Sequence, residues 1–325
     1  MISDYINGIV ADCKKRNTTI LIELLITRKC NYRCKHCMYD CSPDDSSEYM
    51  SDETLGKIKK QIDFLNKMGL PTCINLIGGE PTINFSKFEH IFREVETWNT
   101  FITIGTNAWW LDKPVLVDRF FKLISKRVQE KRIIIRLSDD DYHIQERKIK
   151  YLDDKLQEIF SAGILDKYNL NYPSSEHDWI YDQSVYNKNH FPGYPYVVYP
   201  NGRGKSCDNY LEFKKLNNLK ISDNMCLRSY PCGFQIHYDP WGKIYDACGQ
   251  GSIYDFGTVD DNILFIASII WKYKAWRHFD SGKQYDCYNC RTLVQEWKKD
   301  YLEDARELFS KFNTMNYDTF MKELL

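Results

Sequence analysis

Apolar residues in the first two-thirds of the chain alternate between short β-rich runs and longer stretches with helical spacing. Ile20 to Ile26 (ILIELLI) reads as a strand, and Asp52 to Met68 as an amphipathic helix opened by Ser51-Asp52-Glu53. Cys73 to Ile77 is the next strand and Phe85 to Trp98 the next helix. Phe101 to Gly105 then reads as a strand, followed by a helix from Lys113 to Gln129. Arg132 to Leu137 (RIIIRL) is a fourth strand, and Gln145 to Ala162 a helix stopped by Gly163. Weaker strands are expected at Tyr168 to Tyr172 and Tyr196 to Tyr199. Strands alternating with crossover helices predict a parallel sheet, doubly wound or barrel-like.

The stretch from Pro173 to Lys205 is rich in Tyr, Pro and Asn and has little periodicity; loops this long are often functional lids, and a poorly ordered surface excursion is the alternative. From Cys207 onward the pattern changes to cysteines, turns, a hairpin-like segment and a charged helix from about Thr292. A boundary near 206 divides the chain into 1–206 and 207–325.

Composition narrows the classes. The 325 residues are 43% hydrophobic and 27% charged, an ordinary globular balance that excludes wholesale disorder. Lys+Arg 44 against Asp+Glu 45 leaves a net charge of -1, without the basic footprint of a nucleic-acid binder. The longest apolar run, Ile263 to Trp271, is too short to span a bilayer, so no membrane partner is expected. The first residues, MISDYINGIV, lack the features of a secretion signal, and a cytoplasmic location is expected. Twelve cysteines in such a chain point away from disulfides and toward thiolate metal sites, because most fall in two groups.

The first group, Cys30, Cys34 and Cys37, has the spacing C-x3-C-x2-C on a loop after the first strand. That is the end of a parallel sheet where active sites gather. Three thiolates on one short loop can hold three irons of a [4Fe–4S] cube and leave the fourth open to a ligand. From spacing alone, a zinc site completed by His36 or Cys41 is the alternative.

With its context the loop resembles that of the radical S-adenosylmethionine (SAM) superfamily, C-x3-C-x-aromatic-C, with His36 at the aromatic position. The resemblance continues at Gly78-Gly79-Glu80-Pro81, which looks like the family's GGEP motif, and covers residues 20 to about 140. It implies a partial (β/α)6 TIM-like barrel and that Gly78, Gly79 and Glu80 hold the SAM amine. Physically, glycines allow close backbone approach and an anionic Glu can receive an amino group. Ser138 matches the family's polar ribose contact. Asn107 stands where the family often has T-N-G, with Ala108 in place of the glycine. Cys41 is expected to be a bystander.

Asp139, Asp140 and Asp141 read as a helix N-cap. Asp141, His143 and Arg203 are catalytic candidates by position, Arg203 within Pro200-Asn201-Gly202-Arg203.

In the second group, Cys232 to Cys248 reads as a hairpin around Asp239-Pro240-Trp241-Gly242, which brings its ends together. A helix through Trp271 and Cys287-Tyr288-Asn289-Cys290 follow. Together they resemble the small Cys-rich α+β SPASM and twitch extensions of radical SAM enzymes. The resemblance implies a second, auxiliary [4Fe–4S] cluster on Cys232, Cys248, Cys287 and Cys290, with Cys226 as a substitute ligand; a structural four-cysteine zinc site is the rival.

The implied activity is reductive cleavage of SAM and hydrogen abstraction from substrate, in a monomer served by flavodoxin or ferredoxin. Oxidation or crosslinking of a ribosomal peptide is the leading expectation. The alternative is dehydrogenation or rearrangement of a small molecule such as an aminocyclitol, sugar or nucleoside. A zinc-stabilised binding module is the non-enzymatic alternative.

Overall fold

A computed structural model describes residues 2–16, 19–67, 69–146, 152–173, 179–182, 203, 235–248 and 252–261. The chain divides into two compact units. One comprises Met1–Ile22, Glu53–Thr72 and Glu212–Leu325; the other comprises Glu23–Asp52 and Cys73–Leu211 and holds the first cysteine group.

In the second unit the chain enters along β1 (Ile20–Leu25), whose last residues begin it. It continues through β2 (Thr72–Ile77), α3 (Phe85–Glu96), β3 (Phe101–Thr106), α4 (Pro114–Gln129) and β4 (Ile133–Leu137). The strand order is β5-β4-β3-β2-β1, with β5 at Ile180–Asp182. The β2–β3, β3–β4 and β4–β5 pairs are all parallel, so an open parallel α/β sheet stands where the sequence predicted one.

Register gives this sheet two unlike faces. Ile74 and Leu76 of β2 align with Ile102 and Ile104 of β3, and these with Ile133 and Ile135 of β4. All six are buried. The apolar faces of α3 and α4 supply Phe88, Phe92, Phe120 and Phe121 to the core, and Phe120 stacks on Trp110 at 4.1 Å between centroids. Intervening positions carry the opposite character: Asn75 aligns with Thr103, and Gly105 with Arg136. One face is therefore hydrophobic and packed, the other studded with polar groups.

Helix ends follow local chemistry. Asn84 caps α3 by accepting from the Lys87 amide at 3.2 Å. α4 begins with Pro114 in its first turn. It ends in a Schellman pattern in which the Lys131 amide donates to Val128 O and the Arg132 amide to Arg127 O, with Lys131 at φ 54°.

Two expectations need correction. The helix predicted over 145–162 begins instead at Asp141: helix is described over α5 (Asp141–Glu146) and α6 (Leu152–Ser161), and 147–151 lie outside the described residues. The first begins early because Asp140 Oδ1 accepts from the amides of Tyr142 and His143, both at 3.0 Å. No strand forms at Tyr168 to Tyr172. The one-turn α7 (Ile164–Lys167) closes with Leu170 N–H donating to Leu165 O, Asn169 is left-handed at φ 53°, and the strand falls at β5 instead. The expected strand at Tyr196 to Tyr199 lies outside the described residues.

The first unit contains α1 (Ile2–Arg16), which the sequence reading missed, and α2 (Asp52–Lys67). It also contains an antiparallel set formed by β6 (Gln235–Tyr238), β7 (Lys243–Cys248) and β8 (Ser252–Thr258). The predicted hairpin is β6–β7. Asp239 Oδ1 shapes its turn by accepting from the amides of Trp241 and Lys243 at 3.0 and 2.8 Å. Gly242 there has φ 82°, and a β-carbon on it would meet Val259 Cγ2 at 2.7 Å. Buried Gln61 of α2 accepts from Tyr238 Oη at 2.6 Å and donates to Val259 O at 3.3 Å, which ties helix to hairpin. Cys226, Cys232, Cys287, Cys290 and the helices expected through Trp271 and from Thr292 lie outside the described residues, and Cys248 is placed as the last residue of β7. Among the described residues, no helix is long and apolar enough to cross a membrane.

Candidate functional site

Cys30, Cys34 and Cys37 sit on the loop that leaves β1, at the carboxyl end of the parallel sheet. Their loop forms a small apolar cluster in which Leu25, Cys30, Tyr32, Cys34 and Cys41 are buried and Cys37, Tyr39, Ile77, Trp109 and Tyr142 pack around them. The loop folds on itself: Cys30 N–H donates to Ser42 O, Cys37 N–H to Cys34 O, and Asp40 N–H to Cys37 O. Amides also reach the sulfurs, from Tyr32 to Cys30 Sγ and from Cys41 to Cys37 Sγ, each at 3.4 Å.

The thiols differ in character. Hydrogen bonding by the Cys41 thiol, against the pull of burial, brings Cys37 down to about 5. Burial pushes the Cys30 thiol well up. The Cys41 thiol is also raised, first because it is the donor to Cys37. Cys41 is thus a buried partner of Cys37.

The second loop, after β2, presses against the first. Gly79 N–H donates to Thr27 O at 2.7 Å and Glu80 N–H to Lys29 O at 2.9 Å. A β-carbon on Gly79 would lie 2.4 Å from Lys29 O, which explains why glycine stands there. Glu80 is fully buried and its carboxylate gathers four donors. Oε1 accepts from Thr82 N–H at 3.0 Å, from Thr106 Oγ1 at 2.9 Å and from the Thr82 hydroxyl, while Oε2 accepts from Asn107 N–H at 2.7 Å. Burial raises the Glu80 carboxyl, and these donors offset the rise only in part. In this arrangement Glu80 joins the β2 loop to the end of β3.

Asn107 extends that link. Its amide Nδ2 donates to Asn31 Oδ1 at 2.9 Å and reaches Cys30 Sγ at 3.8 Å. Ala108, where a glycine was noted as usual, is left-handed at φ 63°. Ser138 follows β4, its N–H donating to Thr106 O at 2.9 Å.

His36 and His143 come together around Asp140. His36 stacks on Tyr142 at 4.6 Å and meets His143 edge-on at 4.9 Å. Asp140 Oδ2 pairs with His143 Nδ1 at 2.7 Å and His36 Nε2 at 3.3 Å. Burial opposes charge on both partners, yet their mutual hydrogen bonds hold Asp140 well below the usual carboxylate range and push His143 up to about 10. Cys34, His36 and His143 bring potential ligand atoms within 4.8 Å of one another. Asp141 begins α5. Arg203, by contrast, lies on the cysteine loop. Its Nε donates to Cys34 O and its Nη2 to Cys41 O, at 3.1 and 2.6 Å.

The sequence reading missed a polar layer on the polar face of the sheet, in which Glu23 and Asn75 are buried and Thr103 and Arg136 half-buried. Asn75 donates through Nδ2 to Glu23 Oε2 at 2.7 Å, and its Oδ1 accepts from Thr103 Oγ1 at 2.7 Å and Arg136 Nη2 at 2.6 Å. Tyr39, on the cysteine loop, hydrogen-bonds Glu23 through its hydroxyl. A β-carbon on Gly105 would press on Ile77 Cγ2 at 3.2 Å, while Arg136 Nη2 at 3.9 Å would be in ordinary contact. The signal was a polar residue in the interior of each of three largely apolar strands, Glu23 in ILIELL, Asn75 in TCINLI and Arg136 in IIIRL.

The donor chemistry fits an iron–sulfur cluster. Three thiols leave one loop within an apolar shell, and backbone amides already point at two of the sulfurs.

Residues 24–129 match the family model of the Radical SAM superfamily. The chain carries a radical SAM domain. A curated relative, an S-adenosylmethionine-dependent nucleotide dehydratase of Selenomonas ruminantium, is 41% identical over 63 residues, 19% of this chain and 21% of that protein. Similar solved structures include BtrN in complex with AdoMet and 2-DOIA, at TM-score 0.46 and 16% identity, covering 80% of this chain and 86% of that one. Another is anSMEcpe with bound AdoMet, at TM-score 0.42 and 18% identity over 75% of each chain. A third is Streptococcus suis SuiB, at TM-score 0.31 and 15% identity, over 73% of this chain and 63% of that one.

Proposed function

We propose that the protein cleaves SAM reductively and abstracts hydrogen from a small polar substrate of the sugar, nucleotide or aminocyclitol type. When bound, a [4Fe–4S] cluster with one open iron supplies the electron that splits SAM into methionine and a 5′-deoxyadenosyl radical. Cys30, Cys34 and Cys37 would hold that cluster. The bare backbone of Gly78 and Gly79 would let the methionyl end of SAM approach, while Glu80 and Asn107 fix the shape of that backbone. Ser138 would meet the ribose, and His36 would pack beside the cysteines.

The observation that carries the substrate class is the layer Glu23–Asn75–Thr103–Arg136. It sets a half-buried hydroxyl and guanidinium, held by the buried Glu23 and Asn75, on the face that also bears the cysteine loop. Such groups orient a substrate rich in hydroxyl, amine or phosphate groups. The relative named for nucleotide dehydration agrees with this class.

Oxidation or crosslinking of a peptide is the second reading, favoured by the cysteines at 232, 248, 287 and 290 as ligands of an auxiliary cluster. A cytoplasmic monomer divided near residue 206, with flavodoxin or ferredoxin as reductant, belongs to either reading.

The test is isotope transfer. Deuterated sugars, nucleotides, aminocyclitols and peptides are incubated anaerobically with SAM and dithionite, and 5′-deoxyadenosine is analysed by mass. Deuterium arriving from a small polar substrate is expected. Transfer from peptides alone would replace this reading by the second, and no 5′-deoxyadenosine at all would overturn both.

A further inference from the structure

The cysteine loop between Cys34 and Cys41 folds on itself, and three of its carbonyls also accept from a single residue far along the chain. Arg203 N–H donates to Cys37 O at 3.0 Å, Nε to Cys34 O at 3.1 Å and Nη2 to Cys41 O at 2.6 Å. Nη1 pairs with Asp40 Oδ1 at 2.7 Å, and Asp40 is itself left-handed at φ 56°. A planar guanidinium has donors on three nitrogens in a fixed fork, so it can fasten separate points of one loop. A lysine ammonium is a single point and could serve only part of this set.

We propose that Arg203 is a positioning residue that clamps the cysteine loop and places a fixed positive charge beside the metal-binding thiolates. The clamp follows from the four contacts; the charge effect rests on the radical SAM reading given above. Fixed charge near a cluster favours its reduced, more negative state, because the added electron is attracted to it. Asp40, paired with the guanidinium through Nη1, works in the opposite sense. Arg203 therefore touches neither substrate nor SAM in this account. It acts through the loop, in place of the catalytic role its sequence position suggested.

Three variants test the proposal in the full chain: Arg203→Met, Arg203→Lys and Asp40→Asn. Hydrogen exchange of the Cys34–Cys41 amides is measured first, on metal-free protein. Arg203→Met is expected to speed exchange about tenfold or more, as loss of charged hydrogen bonds implies, and Arg203→Lys by less. Unchanged exchange in both would overturn the clamp. Should Arg203→Met fail to fold, Arg203→Lys alone decides, since it keeps the charge and loses the fork.

The second readout is the midpoint potential and electron paramagnetic resonance spectrum of the reconstituted cluster. Arg203→Met should lower the potential, Arg203→Lys should leave it nearer the wild type, and Asp40→Asn should raise it. Equal potentials across the set would overturn the charge effect, while a shift without faster exchange would overturn the clamp. Failure of the wild-type protein to bind iron would instead sink the radical SAM reading and the charge effect with it, and the exchange data would still decide the clamp.

Discussion

Gly79 stands so close to Lys29 that a β-carbon would lie 2.4 Å from the Lys29 carbonyl oxygen. Lys29 immediately precedes Cys30, so the loop after β2 sets the height of the first cysteine. Substituting Gly79→Ala should therefore push the cysteine loop away and destabilise the chain by about 1–3 kcal/mol, the usual cost of overpacking. At Gly78 the nearest atom is Thr27 O at 3.0 Å, and Gly78→Ala should cost less. Melting of metal-free protein and iron retained per chain measure both. Equal effects at the two glycines would contradict the packing argument.

Glu80 holds two strand ends together through its four donors. Glu80→Gln leaves the fold intact in outline but opposes one donor with another. A loss of roughly 1–3 kcal/mol is expected, the cost of a buried group left unsatisfied. It should be visible in urea unfolding without SAM or iron. If stability stayed the same and only SAM affinity fell, the carboxylate would meet the ligand directly.

Arg136 should matter to substrate and to little else. Arg136→Met is expected to keep iron content and substrate-free SAM cleavage, while kcat/KM for the true substrate falls roughly 10- to 100-fold, as loss of a charged hydrogen bond implies. A fall in iron content would reassign the residue to the fold.

How much of this was legible in the sequence depended on whether the information was local. Strands β1 to β4 were read within a residue or two because long apolar runs and helical spacing are local signals. The cysteine loop and Gly78-Gly79-Glu80 were legible for the same reason. The early start of α5 was not, because it depends on a single side-chain cap from Asp140. β5 was misplaced because Tyr168 to Tyr172 alternates only weakly. Arg203 and the Glu23–Asn75–Arg136 layer depend on contacts between residues far apart in sequence, which spacing cannot reveal. Even there, β1, β2 and β4 each carried a trace in an interior polar residue.

Lys131 closes α4 in a left-handed conformation that glycine adopts without steric penalty. It is exposed, so little packing is lost on truncation. Lys131→Gly should stabilise the protein by about 0.5–1 kcal/mol, read from the first thermal transition with activity unchanged. A lower melting temperature would mean that the lysine side chain contributes more than the backbone strain costs.

The central claim is that Cys30, Cys34 and Cys37 together hold one four-iron cluster. The direct measurement is iron, zinc and sulfide per chain after anaerobic reconstitution, on the wild type and on the triple Cys30/Cys34/Cys37→Ala variant. The account predicts a difference of about four irons and about four sulfides between them, as a cysteine-held cube requires. Equal iron in both proteins, or zinc in place of iron that disappears with the three cysteines, would contradict it.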